Sequence, residues 1–347
     1  MNTESQDPWD EFRLDTEAGH GLVRPRFQVT FRVEYSRPET VLRFHDAVHE
    51  LIGGRLGWYS TGSGRWTRRT ARMATIVPTW CRDPKPWPPN VYTFIAQDAD
   101  EGIGDVELKI YYAPRPLQPP PPELLPRLLQ GMNLPRYYTT LSLSLPVHHD
   151  IVASGAVVDW IRNAAPVEDP SFIGAVAGWA IDVPQNPPEP AQGQVARARA
   201  GALLQRHPGL TCYSHMALGL ACLQWNLDYA RGKGAATPRP YIPRADWITV
   251  LNADQVKLLG GDAALRASLA ASGPSIEIQP AGSGVLIRAG ASPQVGDLSV
   301  GHVPLEYVAV AKAIAPVTIP ISAFDPQFGQ SFREHGLRVW FDALARP

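Results

Sequence analysis

The stretch from Trp247 to Asp297 constrains the fold more than any other part of the chain, because nearly every residue in it obeys a local structural rule. Trp247-Ile248-Thr249-Val250-Leu251 is a β-type run that breaks at Asn252, and a helical pattern begins behind it. That pattern closes at Gly260-Gly261, restarts, and runs to Gly273-Pro274, a glycine–proline pair that ends a helix. Ile276-Glu277-Ile278 and Val285-Leu286-Ile287-Arg288 then flank Ala281-Gly282-Ser283-Gly284, a hairpin by its alternation and its glycine-rich loop. The glycines at 260–261, 281–284 and 290–296 do not spell a nucleotide site. None shows Gly-x-Gly-x-x-Gly between a strand and a helix, and none carries the Lys-Ser/Thr ending of a phosphate loop. They read as turns and caps, so this stretch is scaffold.

The rest of the chain divides by the same rules. Residues 1–24 read as an acidic flexible leader (Glu4, Asp7, Asp10, Glu11, Asp15, Glu17). Phe27 to Tyr35 alternates strictly, the mark of a half-buried strand. Ser36 with Glu39 gives a capping-box spacing, and Val41, Phe44, Val48 and Leu51 follow at helical intervals up to Gly53-Gly54. Two strands are expected between Leu56 and Trp80, and paired strands at Val91–Ile95 and Val106–Tyr112. Pro114 to Pro122 is a stiff linker. Beyond it the pattern predicts a strand at Tyr138–Leu145, a helix at His149–Asn163 and a small-residue strand at Phe172–Val183. An Ala-rich helix at Ala191–Gln205, a helix at Val303–Ala313 and a strand at Val317–Ile321 complete the reading.

Periodicity does not decide residues 212–230. The boundaries predicted are a leader at 1–24, an α+β subdomain at 25–113, a proline-rich linker at 114–126 and a second α+β subdomain at 127–347, the whole forming one compact body. Strand–helix–strand order recurs at 27–112, 138–183 and 247–288. The expected class is therefore α+β, mostly antiparallel sheet with packed helices, with repeated ferredoxin-like (split β-α-β) units as its candidate plan.

Composition narrows the function classes. A net charge of −1 over 347 residues gives no global reason for a polyanionic partner, so any charged partner is met by a local patch. Cys81, Cys212 and Cys222 are odd in number and widely spaced, which implies no disulfide framework and fits a reducing compartment. The start MNTESQDPWDEFRLD is acidic and polar, unlike a signal peptide, and no apolar run approaches the ~18 residues of a membrane span. A cytoplasmic location is the expectation.

Candidate chemistry is sparse. His148-His149-Asp150 offers metal-type ligands, but neighbours on a strand face opposite ways, and Asp150 as a helix cap is the simpler reading. Cys212 and His215 lack partners for zinc and read as a buried apolar segment with Cys222. Ser142, Ser144 and Ser154 lie in no Gly-x-Ser-x-Gly elbow. Arg65, Arg68, Arg69 and Arg72, with Trp58, Tyr59, Trp66 and Trp80, form the best nucleic-acid candidate, because bases stack on rings beside cations; alternation of Arg and Trp on a strand explains the same pattern.

The acidic connection Asp98, Asp100, Glu101, Asp105 and Glu107 lacks an EF-hand spacing. It is a solvated loop or an anionic surface that steers a basic partner. No catalytic, cofactor-binding or metal-binding residues are assigned. The assigned contact surface is Asp98, Asp100, Glu101 and Asp105 with exposed aromatics at Tyr111 and Tyr112, and the chain is expected not to be an enzyme.

A set of motifs carries a family resemblance. Trp247–Leu251, Leu259-Gly260-Gly261, Gly284–Gly290, Pro293-Gln294-Val295-Gly296-Asp297, Arg206-His207-Pro208-Gly209-Leu210, Leu141–Pro146 and Tyr307 together resemble the type VI secretion immunity family, over roughly residues 27–321. The resemblance implies an immunity protein that binds a cognate antibacterial toxin delivered by the contractile secretion apparatus. It also implies that the toxin is a cytoplasmic nuclease of restriction-endonuclease type, blocked at its active site or substrate groove. It supplies no binding residues, no cofactor and no membrane or nucleic-acid partner. The alternatives are an enzyme that inactivates a toxin or its product, and a nucleic-acid binder using the Arg/Trp region 55–80. Specificity is expected on loops of the first half, away from the opening stretch.

Overall fold

The computed structural model describes residues 8–15, 17, 21–34, 36–52, 54–61, 65–83, 92–99, 104–112, 138–183, 190–211, 242, 244–273, 275–318 and 344. Eleven described strands join one sheet: β1 (Leu14–Asp15), β2 (Gly21–Glu34), β3 (Trp58–Ser60), β4 (Thr67–Arg68), β5 (Tyr92–Gln97), β6 (Glu107–Tyr112), β7 (Tyr138–Pro146), β8 (Phe172–Asp182), β9 (Ile248–Leu251), β10 (Ile276–Ala281) and β11 (Gly284–Ala289). Their order is β10-β11-β9-β8-β2-β7-β6-β5-β3-β4, with β1 pairing β2 off this path. Every pairing between these strands is antiparallel. Eight described α-helices pack on the sheet: α1 (Pro38–Ile52), α2 (Met73–Arg82), α3 (Asp150–Ala153), α4 (Val157–Ala164), α5 (Pro190–Arg206), α6 (Ala253–Leu258), α7 (Asp262–Ala270) and α8 (Leu305–Ile314).

The class is α+β with a large antiparallel sheet. The pairing does not establish repeated ferredoxin-like units; it shows one continuous sheet. Strand β2, from the expected N-terminal subdomain, lies between β7 and β8 of the expected C-terminal one. The linker 114–126 lies outside the described residues. Within the expected leader, Trp9 and Phe12 pack on Trp179 and His207 at ring distances of 4.8 Å each, and β1 pairs with β2.

Strand β2 organises the core. Phe27, Val29, Phe31 and Val33 are completely buried on one face, with Val41, Phe44 and Val48 of α1 and Val157, Val158 and Ile161 of α4 in the same cluster. The opposite face was expected to meet solvent, yet Arg26, Gln28, Thr30 and Arg32 are buried too. The strand is central, and its polar side chains are absorbed by neighbours: Thr30 and Ser142 hydroxyls lie 3.2 Å apart, and the Ser142 hydroxyl donates to the Val29 carbonyl at 3.1 Å. A second cluster joins Phe12, Leu22, Val23 and Ile181 to Ala196, Ala200, Leu203 and Leu204 of α5, an i, i+4, i+7, i+8 stripe.

The two strands expected between Leu56 and Trp80 are β3 and β4, which pair antiparallel. Helix α2 behind them was not expected; Met73, Ile76, Val77 and Cys81 recur at helical spacing and bury one face. Two local expectations are corrected. The helix expected at His149–Asn163 is broken into α3 and α4 at Gly155, whose φ of 75° ends the first turn. Residues Ala315–Val317 make a 3-10 turn where a strand was expected to start; 319–321 lie outside the described residues. The stretch 247–297 folds as its sequence reads. Asn252 accepts from the Gln255 amide while the Gln255 side chain accepts from the Asn252 amide, both at 2.9 Å. Gly260 and Gly261, with φ of 90° and 91°, separate α6 from α7. Strands β10 and β11 close through the two-residue loop Gly282-Ser283.

Candidate partner-binding site

The acidic connection between β5 and β6 is tied back onto the sheet. Asp98 accepts the Val106 amide at 3.1 Å through Oδ1 and pairs with Arg55 at 3.4 Å through Oδ2. The Gln97 side chain donates to the Ala99 carbonyl at 2.9 Å and accepts the Gly104 amide at 3.4 Å. A Cβ at Gly104 would lie 2.2 Å from Asp98 Oδ1 and 3.1 Å from the Ala99 amide nitrogen, so a larger residue there would push the Asp98 carboxylate from its place. Asp105 is exposed. Asp100 and Glu101 lie outside the described residues.

The assigned aromatics separate by strand alternation. Tyr111 is half-buried, whereas Tyr112 is completely buried beside Leu108 and Ile110 and stacks on Tyr92 at 5.9 Å. Tyr112 is thus part of the core and not the exposed contact that was expected. Burial, and then the Cys81 thiol, push its phenol well above the ordinary range.

Beneath the loop lies a charged cluster that the sequence reading did not identify. Arg26 of β2 meets Glu107 of β6 and Asp182 of β8, each at 3.3 Å, and donates to the Gly104 carbonyl. Lys109 reaches Glu107 at 2.6 Å and Asp182 at 3.3 Å. Two positive and two negative charges therefore neutralise one another inside the sheet, and Ser144, opposite both Glu107 and Gln28, leaves room for the long side chains to cross β7. Burial pushes Glu107 upward against the pull of Lys109. Burial lowers Lys109, but Asp182 and Glu107 outweigh it and hold the ammonium charged. Burial would raise Asp182, yet Lys109 and Arg26 bring it down to about 2. The available signal was charge at alternate strand positions, Arg24-x-Arg26 and Glu107-x-Lys109, inside otherwise apolar runs. Glu107 had been read as part of the solvated loop; it is a member of this cluster.

The other sequence candidates fall into structural roles. His149, and not Asp150, caps α3 by accepting the Ile151 amide at 3.4 Å. Cys81 is buried, and burial followed by Glu39 and Asp46 pushes its thiol up to about 12. Cys212, His215 and Cys222 lie outside the described residues. Among the described residues no group of three or more His, Cys, Asp or Glu is arranged to hold a metal ion. Of the aromatic residues in the Arg/Trp region, Tyr59 is buried and Trp80 stacks on Tyr92 at 4.9 Å.

Several of the motifs that carry the family resemblance, those around Trp247, Arg206–Gly209 and Tyr307, meet at one loop, 290–297, whereas Leu141–Pro146 lies in β7 and Leu259–Gly261 ends α6. Trp247 donates to the Gly290 carbonyl at 3.1 Å, Trp179 to the Pro293 carbonyl at 3.0 Å, and the Gln294 amide donates to the Tyr307 hydroxyl at 3.0 Å. The Gly209 amide donates to the Val295 carbonyl at 2.8 Å, and His207 Nδ1 lies 2.7 Å from the Gly296 carbonyl. Arg206 grips Asp297 with two nitrogens at 3.0 and 2.6 Å and reaches Glu11 at 3.1 Å. The hydrogen bonds from Arg206 and Ser299 hold the Asp297 carboxyl well below the usual range. These contacts fasten the loop to α5 and α8.

A fold of this kind, one wide antiparallel sheet with helices packed on it, is shared with a Pseudomonas aeruginosa T6SS protein, PA0821. The two superpose with a TM-score of 0.61 at 17% sequence identity, over 89% of this chain and 79% of that one. No curated protein matches the chain. The family described as TsiV, type VI immunity for VRR-NUC, matches residues 39–341, and the chain belongs to it. Among the described residues no helix is long and apolar enough to cross a membrane.

Proposed function

We propose that this chain binds a VRR-NUC nuclease toxin in the cytoplasm and neutralises it by covering the active site or substrate groove, with no catalysis of its own. The family match over 39–341 carries the reading. The anchored connection between β5 and β6 supports it physically. The described ends of the loop, 98–99 and 104–106, are already held by Asp98, Gln97 and Arg26 and lose little further freedom on binding, which favours tight association. Asp105 is exposed and Asp98 is half-buried beside Arg55, and with the sequence neighbours Asp100 and Glu101 the segment carries net negative charge suited to the basic wall of a groove that normally holds a phosphate backbone. Tyr111, paired with Thr93 at the far end of the β5–β6 hairpin, lies about 13 Å along the strand from this loop and forms no part of its surface. A tight contact of this kind buries roughly 1,200–2,000 Å².

The test is inhibition of DNA cleavage by the toxin's purified nuclease domain, titrated with this chain. Protection is expected to saturate at a fixed stoichiometry, and a catalytically dead toxin bound to the chain is expected to lose its DNA affinity. Protection at substoichiometric amounts would favour the enzyme alternative. Asp98→Lys with Asp105→Lys is expected to slow association about tenfold at low salt and less at high salt. An unchanged on-rate at low salt rejects this surface.

A further inference from the structure

Residues 51–82 contain six arginines and no aspartate or glutamate, in a chain of net charge −1. The fold gathers three of them. Arg68 ends β4, the terminal strand of the sheet; the Arg69 amide donates to the Gly57 carbonyl at 2.7 Å; Arg72 immediately precedes α2. All three side chains are exposed. The first turn of α2 carries no acidic residue, so its amide ends add partial positive charge to the same place. The field reaches inward: burial, His45 and then Arg69 lower His49 to about 4. A charge on a short edge strand protects it from pairing with another chain, which accounts for Arg68 alone. It does not account for Arg69 and Arg72 on the turn that follows.

Two anions suit such a face, phosphate and carboxylate. The register decides between them. Arg68 lies opposite Trp58, and Trp58 opposite Gln97, so the arginines sit two strands, about 10 Å, from Asp98. A surface alternating in sign at that spacing suits a continuous phosphate backbone poorly, and of the rings on which bases could stack Tyr59 is buried and Trp80 is stacked on Tyr92, while Trp58 and Trp66 are half-buried. A nuclease cleft has the complementary alternation: basic walls beside the carboxylates that hold its catalytic metal ions. We propose that Arg68, Arg69 and Arg72 form a second docking surface that takes the metal-binding carboxylates of the toxin's catalytic centre, next to the acidic loop. This rests on the reading above that the chain covers a nuclease. Arginine is suited to the task because its planar fork meets a carboxylate with two parallel hydrogen bonds. Occupation by the arginines and by Mg²⁺ is then mutually exclusive.

Surface plasmon resonance with the purified VRR-NUC domain of the cognate toxin immobilised, and the full chain as analyte, tests this. Arg68→Glu, Arg69→Glu and Arg72→Glu together are expected to raise Kd about 30-fold or more, with the triple Arg→Gln variant intermediate. Saturating Mg²⁺ is expected to weaken the native chain and to leave the triple-Glu variant unchanged. Near-native melting of the variants, whose altered side chains are exposed, separates lost binding from lost folding. Native affinity in the triple variants overturns the surface, while a simultaneous loss in the Asp98/Asp105 reversal leaves the inhibitor reading standing. A native chain that neither binds nor inhibits the toxin overturns both. Salt-dependent binding of a labelled DNA duplex that disappears in the triple variants, with toxin binding intact, assigns the arginines to nucleic acid and overturns the proposal.

Discussion

A Cβ added at Gly209 would lie 2.0 Å from the Gln294 carbonyl oxygen and 2.9 Å from its carbon. Those are backbone atoms that cannot rotate aside, so Gly209→Ala is expected to part the 206–210 turn from loop 290–297 and destabilise the chain by about 2–3 kcal/mol. Gly54→Ala is the control, since no atom lies within 4 Å of that Cβ and its effect should stay within about 1 kcal/mol. Chemical denaturation of both variants reads the difference, and equal midpoints would contradict the contact. Asp246 poses an electrostatic question at the same scale. Its carboxyl is completely enclosed, and burial raises it to about 7 against the opposing pull of Arg244 and of the Trp247 amide at 2.8 Å. The folded state thus holds this proton more tightly than the unfolded chain does. Its contribution is fully present below the unfolded value of 3.8, declines as pH rises towards 7, and is absent above that. Asp246→Asn keeps an acceptor for the Trp247 amide and removes the titration. The variant is expected to gain on the native chain between pH 5 and pH 8, by at most about 4 kcal/mol over the whole titration. A difference between the two that stays constant across that range rejects the buried-proton account.

At the scale of elements, the junction between β9 and α6 shows why local sequence was so readable there. Asn252 closes a reciprocal cap with Gln255 and also donates to the Phe172 carbonyl at 2.6 Å, so one side chain starts a helix and fixes it to β8. Asn252→Ala should cost about 1–2 kcal/mol. In a double-mutant cycle with Gln255→Ala, the two losses should overlap by at least about 0.5 kcal/mol, because each side chain satisfies the other's amide. Strict additivity in thermal melts would mean the cap is not shared. Elements with such near-neighbour rules (the β10–β11 hairpin, the glycine break between α6 and α7, the alternation of β2 and β7) were legible in the sequence. Helix α2 was not. Its ten residues carry β-branched Thr, Ile and Val, which lower helix propensity, and Pro78, which is unfavourable inside either element, and tertiary burial of Met73, Ile76, Val77 and Cys81 overrides them. The site divides in the same manner. Asp98 and Asp105 could be read from a run of acids, and the inward turn of Tyr112 follows from its place on the alternating apolar face Val106, Leu108, Ile110, although it was expected to be exposed. Arg26, Lys109 and Asp182 come from three strands spread over more than 150 residues, and no local pattern brings them together.

The whole molecule is a sheet buried on both sides of its central strand, and the charged cluster is where that arrangement meets the candidate binding surface. Arg26, Glu107, Lys109 and Asp182 sum to zero charge, so their enclosure is tolerable only while all four are present. The cluster also spans the molecule, joining β2, β6 and β8, and through the Gly104 carbonyl it holds the loop that carries Asp98 and Asp105. Lys109→Met leaves two carboxylates facing a single guanidinium in a dry interior and is expected to cost about 3–5 kcal/mol. Lys109→Met combined with Glu107→Leu removes one charge of each sign, restores neutrality and should be the more stable of the two. The comparison separates charge balance from lost packing, because the double variant alters more side-chain contacts and still recovers. Equilibrium urea unfolding at neutral pH gives both values, and a double variant weaker than the single one would show that these residues act by shape and not by charge. The single variant should also loosen the 104–107 backbone, raising amide exchange there before the rest of the sheet, since Glu107 begins β6 and Gly104 hangs from Arg26.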